Sequence, residues 1–62
     1  MKTEKFKFKV GELIRWHYLP DNKNIIGIVL AQELYLLYEF YDIYWFQLAL
    51  KESVRETFVE KL

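Results

Sequence analysis

Lys5, Lys7 and Lys9 alternate with Phe6, Phe8 and Val10, a period of two that puts the rings on one face of an extended segment and the ammonium groups on the other. The pattern predicts a half-buried strand whose lysines guard an edge. Gly11 comes next, where a kink or bulge is expected. Leu13, Ile14, Trp16, Tyr18 and Leu19 then continue in strand-favouring residues up to Pro20-Asp21-Asn22-Lys23-Asn24, the clearest turn signal in the chain. Ile25 to Ala31 is apolar and β-branched with Gly27 inside it, which predicts a short strand buried on both faces. From Phe40 to Phe46 a further strand is expected, with Tyr41, Ile43 and Trp45 on one face and Phe40, Asp42, Tyr44 and Phe46 on the other.

Two stretches leave alternatives open. Leu34-Tyr35-Leu36-Leu37-Tyr38-Glu39 falls where a hairpin connection is needed, yet holds no glycine, asparagine or proline. A helix over 30–51 therefore competes with the hairpin. Near the C-terminus, Ser53 and Glu56 fit a capping box, and Val54, Phe58 and Leu62 recur at helical spacing. Arg55 to Val59 also suits a last strand, and a strand ending in a helical turn is the favoured reading. No repeat, low-complexity tract or linker divides the sequence, so residues 1–62 are expected to form a single domain.

Size sharpens the picture. A chain of 62 residues folding alone hides only about 60% of its unfolded surface. With no cysteine, neither a disulfide framework nor a thiolate zinc site can supplement the core. The main resource is aromatic: 2 tryptophans, 5 tyrosines and 5 phenylalanines, more rings than so small an interior takes. Some are expected outside or against a neighbour.

Charge balances at 9 basic and 9 acidic side chains, which lowers the expectation of nucleic-acid binding without removing it. It is uneven, however. Residues 1–9 carry four lysines and one glutamate, whereas 25–50 carry Glu33, Glu39 and Asp42 with no base. Met1 to Lys9 lacks the basic head and apolar run of a leader, so a cytoplasmic address is expected. From Ile25 to Leu50, 20 of 26 residues are hydrophobic, but three carboxylates and tyrosines scattered through the run disfavour a membrane span.

The succession Val10-Gly11-Glu12-Leu13-Ile14-Arg15-Trp16, Ile26-Gly27-Ile28-Val29, Tyr41-Asp42-Ile43-Tyr44-Trp45 and Val59-Glu60-Lys61-Leu62 resembles the small SH3-like barrels of the Tudor, KOW and Sm-like type. Similar short proteins are familiar from tailed phages and marine microbial sequences. The resemblance implies an all-β, SH3-like barrel of about five strands, to which the tail's own pattern adds the short C-terminal helical turn. It further implies a strand begun by Val10-Gly11, a second through Gly27 and Val29, and inward Tyr41, Ile43 and Trp45. Residues 34–39 depart from it, since the family usually has a polar turn there.

Catalytic chemistry finds little footing. His17 and Ser53 are the sole histidine and serine, and a triad would have to combine them with Asp21 or Asp42 without the glycine-flanked turn that usually presents such a nucleophile. One histidine among scattered carboxylates lacks the density of a metal site. Glu33, Glu39 and Asp42 fit the task of keeping an apolar hairpin soluble better than that of an acid–base pair. No enzyme activity and no cofactor is expected.

Two binding readings remain. If Tyr41, Ile43 and Trp45 point inward, then Phe40, Tyr44 and Phe46 point outward, and together with Tyr35 and Tyr38 they compose an aromatic, charge-poor surface suited to self-association or to a protein partner. The competing possibility is that the hairpin curls and these rings close a barrel opening. The alternative function is nucleic-acid binding by a strip of Lys5, Lys7 and Lys9, extended by Arg15; strand alternation turns Phe6 and Phe8 away from those lysines.

Overall fold

The computed structural model describes residues 5–17 and 25–62. They form five antiparallel strands in one open sheet: β1 (Leu13–Trp16), β2 (Ile26–Tyr35), β3 (Tyr38–Trp45), β4 (Leu50–Arg55) and β5 (Val59–Lys61), in the spatial order β4-β3-β2-β1-β5. A 3-10 turn, Glu56–Phe58, joins β4 to β5. The helix considered over 30–51 does not form; β2, β3 and β4 run through that stretch. Tyr18, Leu19 and the turn expected over Pro20 to Asn24 lie outside the described residues, as do Lys2 and Asp21.

Alternation explains β3. Tyr41, Ile43 and Trp45 are completely buried, and their strand neighbours Phe40, Asp42 and Tyr44 take the opposite face as expected. In β2 the alternation is interrupted. Gly27 and Val29 pair with Trp45 and Ile43 on the inner face, then Leu30 is skipped, and Ala31 pairs with Asp42. This bulge inserts one residue and reverses which parity faces inward. Ile25 to Ala31 is accordingly not buried on both faces: Gly27 and Val29 are covered, Ile26 and Ile28 half-covered, and Leu30 exposed. Gly27 is where strand and core approach closest, since a Cβ there would stand 2.6 Å from Ile43 Cγ2 and 2.8 Å from Trp45 Cε3.

The core comprises Phe8, Ile14, Val29, Tyr41, Ile43, Trp45, Val54 and Val59. Trp16 lies flat on Trp45, with ring centroids 5.4 Å apart and planes 10° off parallel, and meets Phe58 edge-on. Phe6 and Phe8 both present edges to Tyr41 at 5.8 and 5.4 Å.

The N-terminal segment keeps the expected in–out burial of Phe8 against Lys7 and Lys9, but it is not a strand. Side chains satisfy its backbone in place of a ladder. Lys7 N–H donates to Glu56, Phe8 N–H to the Tyr41 hydroxyl and Lys9 N–H to Glu12, while Gln32 Nε2 donates to the Phe8 carbonyl. Tyr41 completes the arrangement by donating to Glu56 Oε2 at 2.5 Å. Desolvation, helped by that bond to a carboxylate, pushes the Tyr41 hydroxyl well above its ordinary value. Val10 and Gly11 make a turn ahead of β1 rather than beginning it, with Gly11 at φ +93°. The Ser53–Glu56 capping box is also absent: Ser53 belongs to β4, and no side chain caps the 3-10 turn. Once Val59 pairs with Trp16, β5 captures the tail into the sheet, and long-range pairing overrides the local helical spacing.

Candidate interaction surface

Beyond the bulge, β2 and β3 continue as a two-stranded hairpin with Tyr35 paired to Tyr38, Leu34 to Glu39, Glu33 to Phe40 and Gln32 to Tyr41. Residues opposed across a ladder share a face. Tyr35, Tyr38 and Phe40 therefore stand together on the outer face, and Tyr44 follows on the same side beyond Asp42. Tyr35 meets Phe40 edge-on at 6.3 Å, and Tyr44 meets Phe46 at 5.7 Å. The five expected interface rings thus fall into two groups, one near the hairpin tip and one near its base, divided by Asp42. Tyr35, Tyr38 and Phe46 are exposed; Phe40 and Tyr44 are half-covered by their neighbours. Phe46 itself sits past the end of β3, in the turn to β4.

The face has two basic residues, Lys51 opposite Tyr44 and Arg55 opposite Phe40. The Arg55 guanidinium rests 3.8 Å from the centroid of the Tyr38 ring, a cation–π contact fixed by the pairing of Arg55 with Phe40 across β4 and β3.

Sequence reasoning overlooked the leucines exposed around this hairpin, of which Leu34 and Leu50, opposed to Glu39 and Trp45, take the face opposite the rings. Leu30, Leu34, Leu36, Leu37, Leu48 and Leu50 are all exposed. Leu36 and Leu37 form the turn itself, with φ of 51° and 72°, the left-handed region that glycine and asparagine enter most readily. The absence of either residue from 34–39 was the available signal.

The lysine strip lies elsewhere. Lys5, Lys7 and Lys9 are exposed on the N-terminal segment, with Lys7 Nζ 5.9 Å from the Phe8 ring. Arg15 is engaged: its Nε donates to Glu60 Oε2 at 2.7 Å, while His17 Nδ1 lies 2.8 Å from Glu60 Oε1. A carboxylate only accepts, so Nδ1 carries the proton of that bond. These bonds, from His17 first and Arg15 second, hold the Glu60 carboxyl below its ordinary value. Glu12 is likewise lowered, chiefly by the Lys9 backbone N–H, with Lys61 3.4 Å away.

The residues considered for catalysis are separated. Ser53 faces Asp42 across β4 and β3, but the His17 ring is directed to Glu60 on β5. A shallow groove of about 250 Å³ beside the 3-10 turn is lined by Lys7, His17, Glu56, Thr57, Val59 and Glu60, residues of both charges. Among the described residues no cluster of three potential metal ligands occurs, and no helix is long and apolar enough to cross a membrane. No family model, curated protein or solved structure matches this chain.

Proposed function

We propose that the chain is an SH3-like barrel acting as a non-catalytic interaction or structural module that self-associates through the outer face of the β2–β3 hairpin. The barrel reading draws on the five antiparallel strands, the number expected of such a barrel. The bulge at Leu30 lets β2 bend between β1 and the hairpin.

One observation carries the functional reading. Of the 13 large hydrophobic side chains exposed among the described residues, 9 fall between Leu30 and Leu50, so the uncovered apolar area is gathered on one hairpin, its tip and its following turn, with Tyr35 and Tyr38 on the outer face and Leu34 and Leu50 on the other. A gathered patch marks an interaction site, whereas scattered apolar residues need no explanation. Nucleic-acid binding by Lys5, Lys7, Lys9 and Arg15 draws less support, because Glu60 occupies Arg15 and places a carboxylate beside it.

Sedimentation of the full chain across micromolar concentrations is expected to give an oligomer, and Phe46→Asp to shift it toward monomer. A monomer throughout, with Phe46→Asp changing neither solubility nor stability, would overturn the proposal. Binding to single-stranded DNA or RNA that weakens steeply with salt would instead favour the lysine strip.

A further inference from the structure

Among the described residues Leu36 and Leu37 are the most exposed of the large hydrophobic side chains, at 71% and 87%, and both take positive φ. Two central residues with positive φ make a type I′ hairpin turn, in which Asn-Gly is relaxed and two leucines are not. Backbone strain and apolar exposure coincide at the same two positions. Neither contributes to the core. A persistent backbone outlier outside the core is the kind of feature that points to function.

The surroundings indicate the occupant. Behind the two leucines stands the Tyr35–Tyr38 pair, and behind that the rows in which Glu39 faces Leu34 and Glu33 faces Phe40. Chemistry therefore grades from leucine to tyrosine to charge over a few residues. That is the profile of a wedge at a lipid–water boundary, where tyrosine settles at headgroup level with its hydroxyl hydrated. From the turn to the Glu39 row is two residues, about 7 Å at roughly 3.4 Å each, which falls inside the ~5–10 Å depth that interfacial elements reach. Insertion into a second copy suits the two turn leucines less well than contact with one suits the aromatic face behind them. The tip is convex, and the groove found among the described residues presents Lys7, His17, Glu56 and Glu60, a charged lining unsuited to leucine. A fluid bilayer requires no preformed pocket.

We infer that the hairpin tip, Leu34 to Tyr38, is a shallow docking wedge for a neutral phospholipid surface. The acidic flank of Glu33 and Glu39, with Arg55 engaged on Tyr38, leaves no basic collar to recruit anionic headgroups. The inference does not rest on self-association, whose second group of rings, Tyr44 and Phe46, lies at the other end of the hairpin.

Flotation of the full chain with phosphatidylcholine vesicles tests it. The wild-type chain is expected to float, and the double variant Leu36→Asn, Leu37→Gly to bind at least about tenfold more weakly while melting no lower than wild type, because Asn-Gly suits the turn. Leu37→Asp should give a similar loss. Phe46→Asp should float as wild type even where it changes the sedimentation, which separates this inference from the self-association reading. The inference is overturned if wild type fails to float, if the Asn-Gly variant floats equally, or if binding needs phosphatidylserine, which would assign it to the lysines. Leucine-dependent capture of a protein without vesicle binding would likewise transfer the tip to a protein pocket.

Discussion

The two ends of the β2–β3 hairpin share their strands and their ladder but not their fate. At the base, Val29 and Ile43 are opposed and almost wholly buried; at the tip, Leu34 opposes Glu39 and remains 53% exposed. Residue polarity does not separate them, since the tip is as rich in leucine and aromatics as the base. A third layer does. Ile14 and Trp16 of β1, Val59 of β5, and Phe6 and Phe8 of the N-terminal segment belong to or pack on the core over the base, and among the described residues nothing comparable lies over the last turn. Hydrophobic character selects what can be buried, and the remaining chain decides what is.

The largest expected effect tests the base. Trp45→Ala removes a completely buried indole stacked on Trp16 and should cost about 3–5 kcal/mol by chemical denaturation, whereas Leu37→Ala at the tip should stay within about 0.5 kcal/mol. Comparable losses at both sites would erase the contrast. Trp45→Phe sharpens it, because the buried Nε1 has no hydrogen-bond partner: deleting an unsatisfied donor offsets part of the lost packing, and a cost of about 1 kcal/mol is expected. Gly27→Ala comes next. Its methyl would press on Ile43, Trp45 and the Tyr44 carbonyl, an overpacking worth about 1–3 kcal/mol.

These same residues mark how far sequence reached. The inward set of β3 was readable because period-two alternation runs unbroken from Phe40 to Trp45. In β2 the alternation changes parity at Leu30, and a bulge leaves no local trace when both parities are apolar, so the run looked doubly buried. The N-terminal alternation gave the right burial and the wrong element. Phe8 donates its N–H to Tyr41 and accepts from Gln32, while Lys7 and Lys9 beside it donate to Glu56 and Glu12; all but Glu12 are distant in sequence, and spacing cannot reveal them. At the candidate surface the tyrosines and phenylalanines were legible from strand period. The leucine turn was not, because two leucines at positive φ contravene the propensity by which turns are read.

A smaller effect of opposite sign belongs to the tip. Replacing Leu36-Leu37 with Asn-Gly should raise stability by about 1–2 kcal/mol, through relief of two left-handed leucines. The gain is read as a higher denaturation midpoint at unchanged slope. An unchanged or lower midpoint would mean that the leucines support the fold, and the tip would then differ from the base only in degree.

The smallest effect distinguishes the ends by pH. Glu60 joins β5 to β1 through Arg15 and His17, and both it and Glu12 titrate below the ordinary value of 4.5. A carboxyl lowered on folding stabilises the native state above its unfolded value, and that contribution disappears as pH falls through the lowered one. Stability should therefore decline as pH drops below about 4.5. Tyr41, raised on folding, stabilises below its ordinary value of 10.0 and loses that contribution as pH climbs beyond it. Glu60→Gln should flatten the acid limb of a urea-midpoint profile while lowering the neutral plateau only slightly, because the pair is solvent-exposed. If the variant keeps the full acid slope, the seam between β5 and β1 is not where protons act, and acid weakening must enter through other carboxylates such as those that anchor the N-terminal segment.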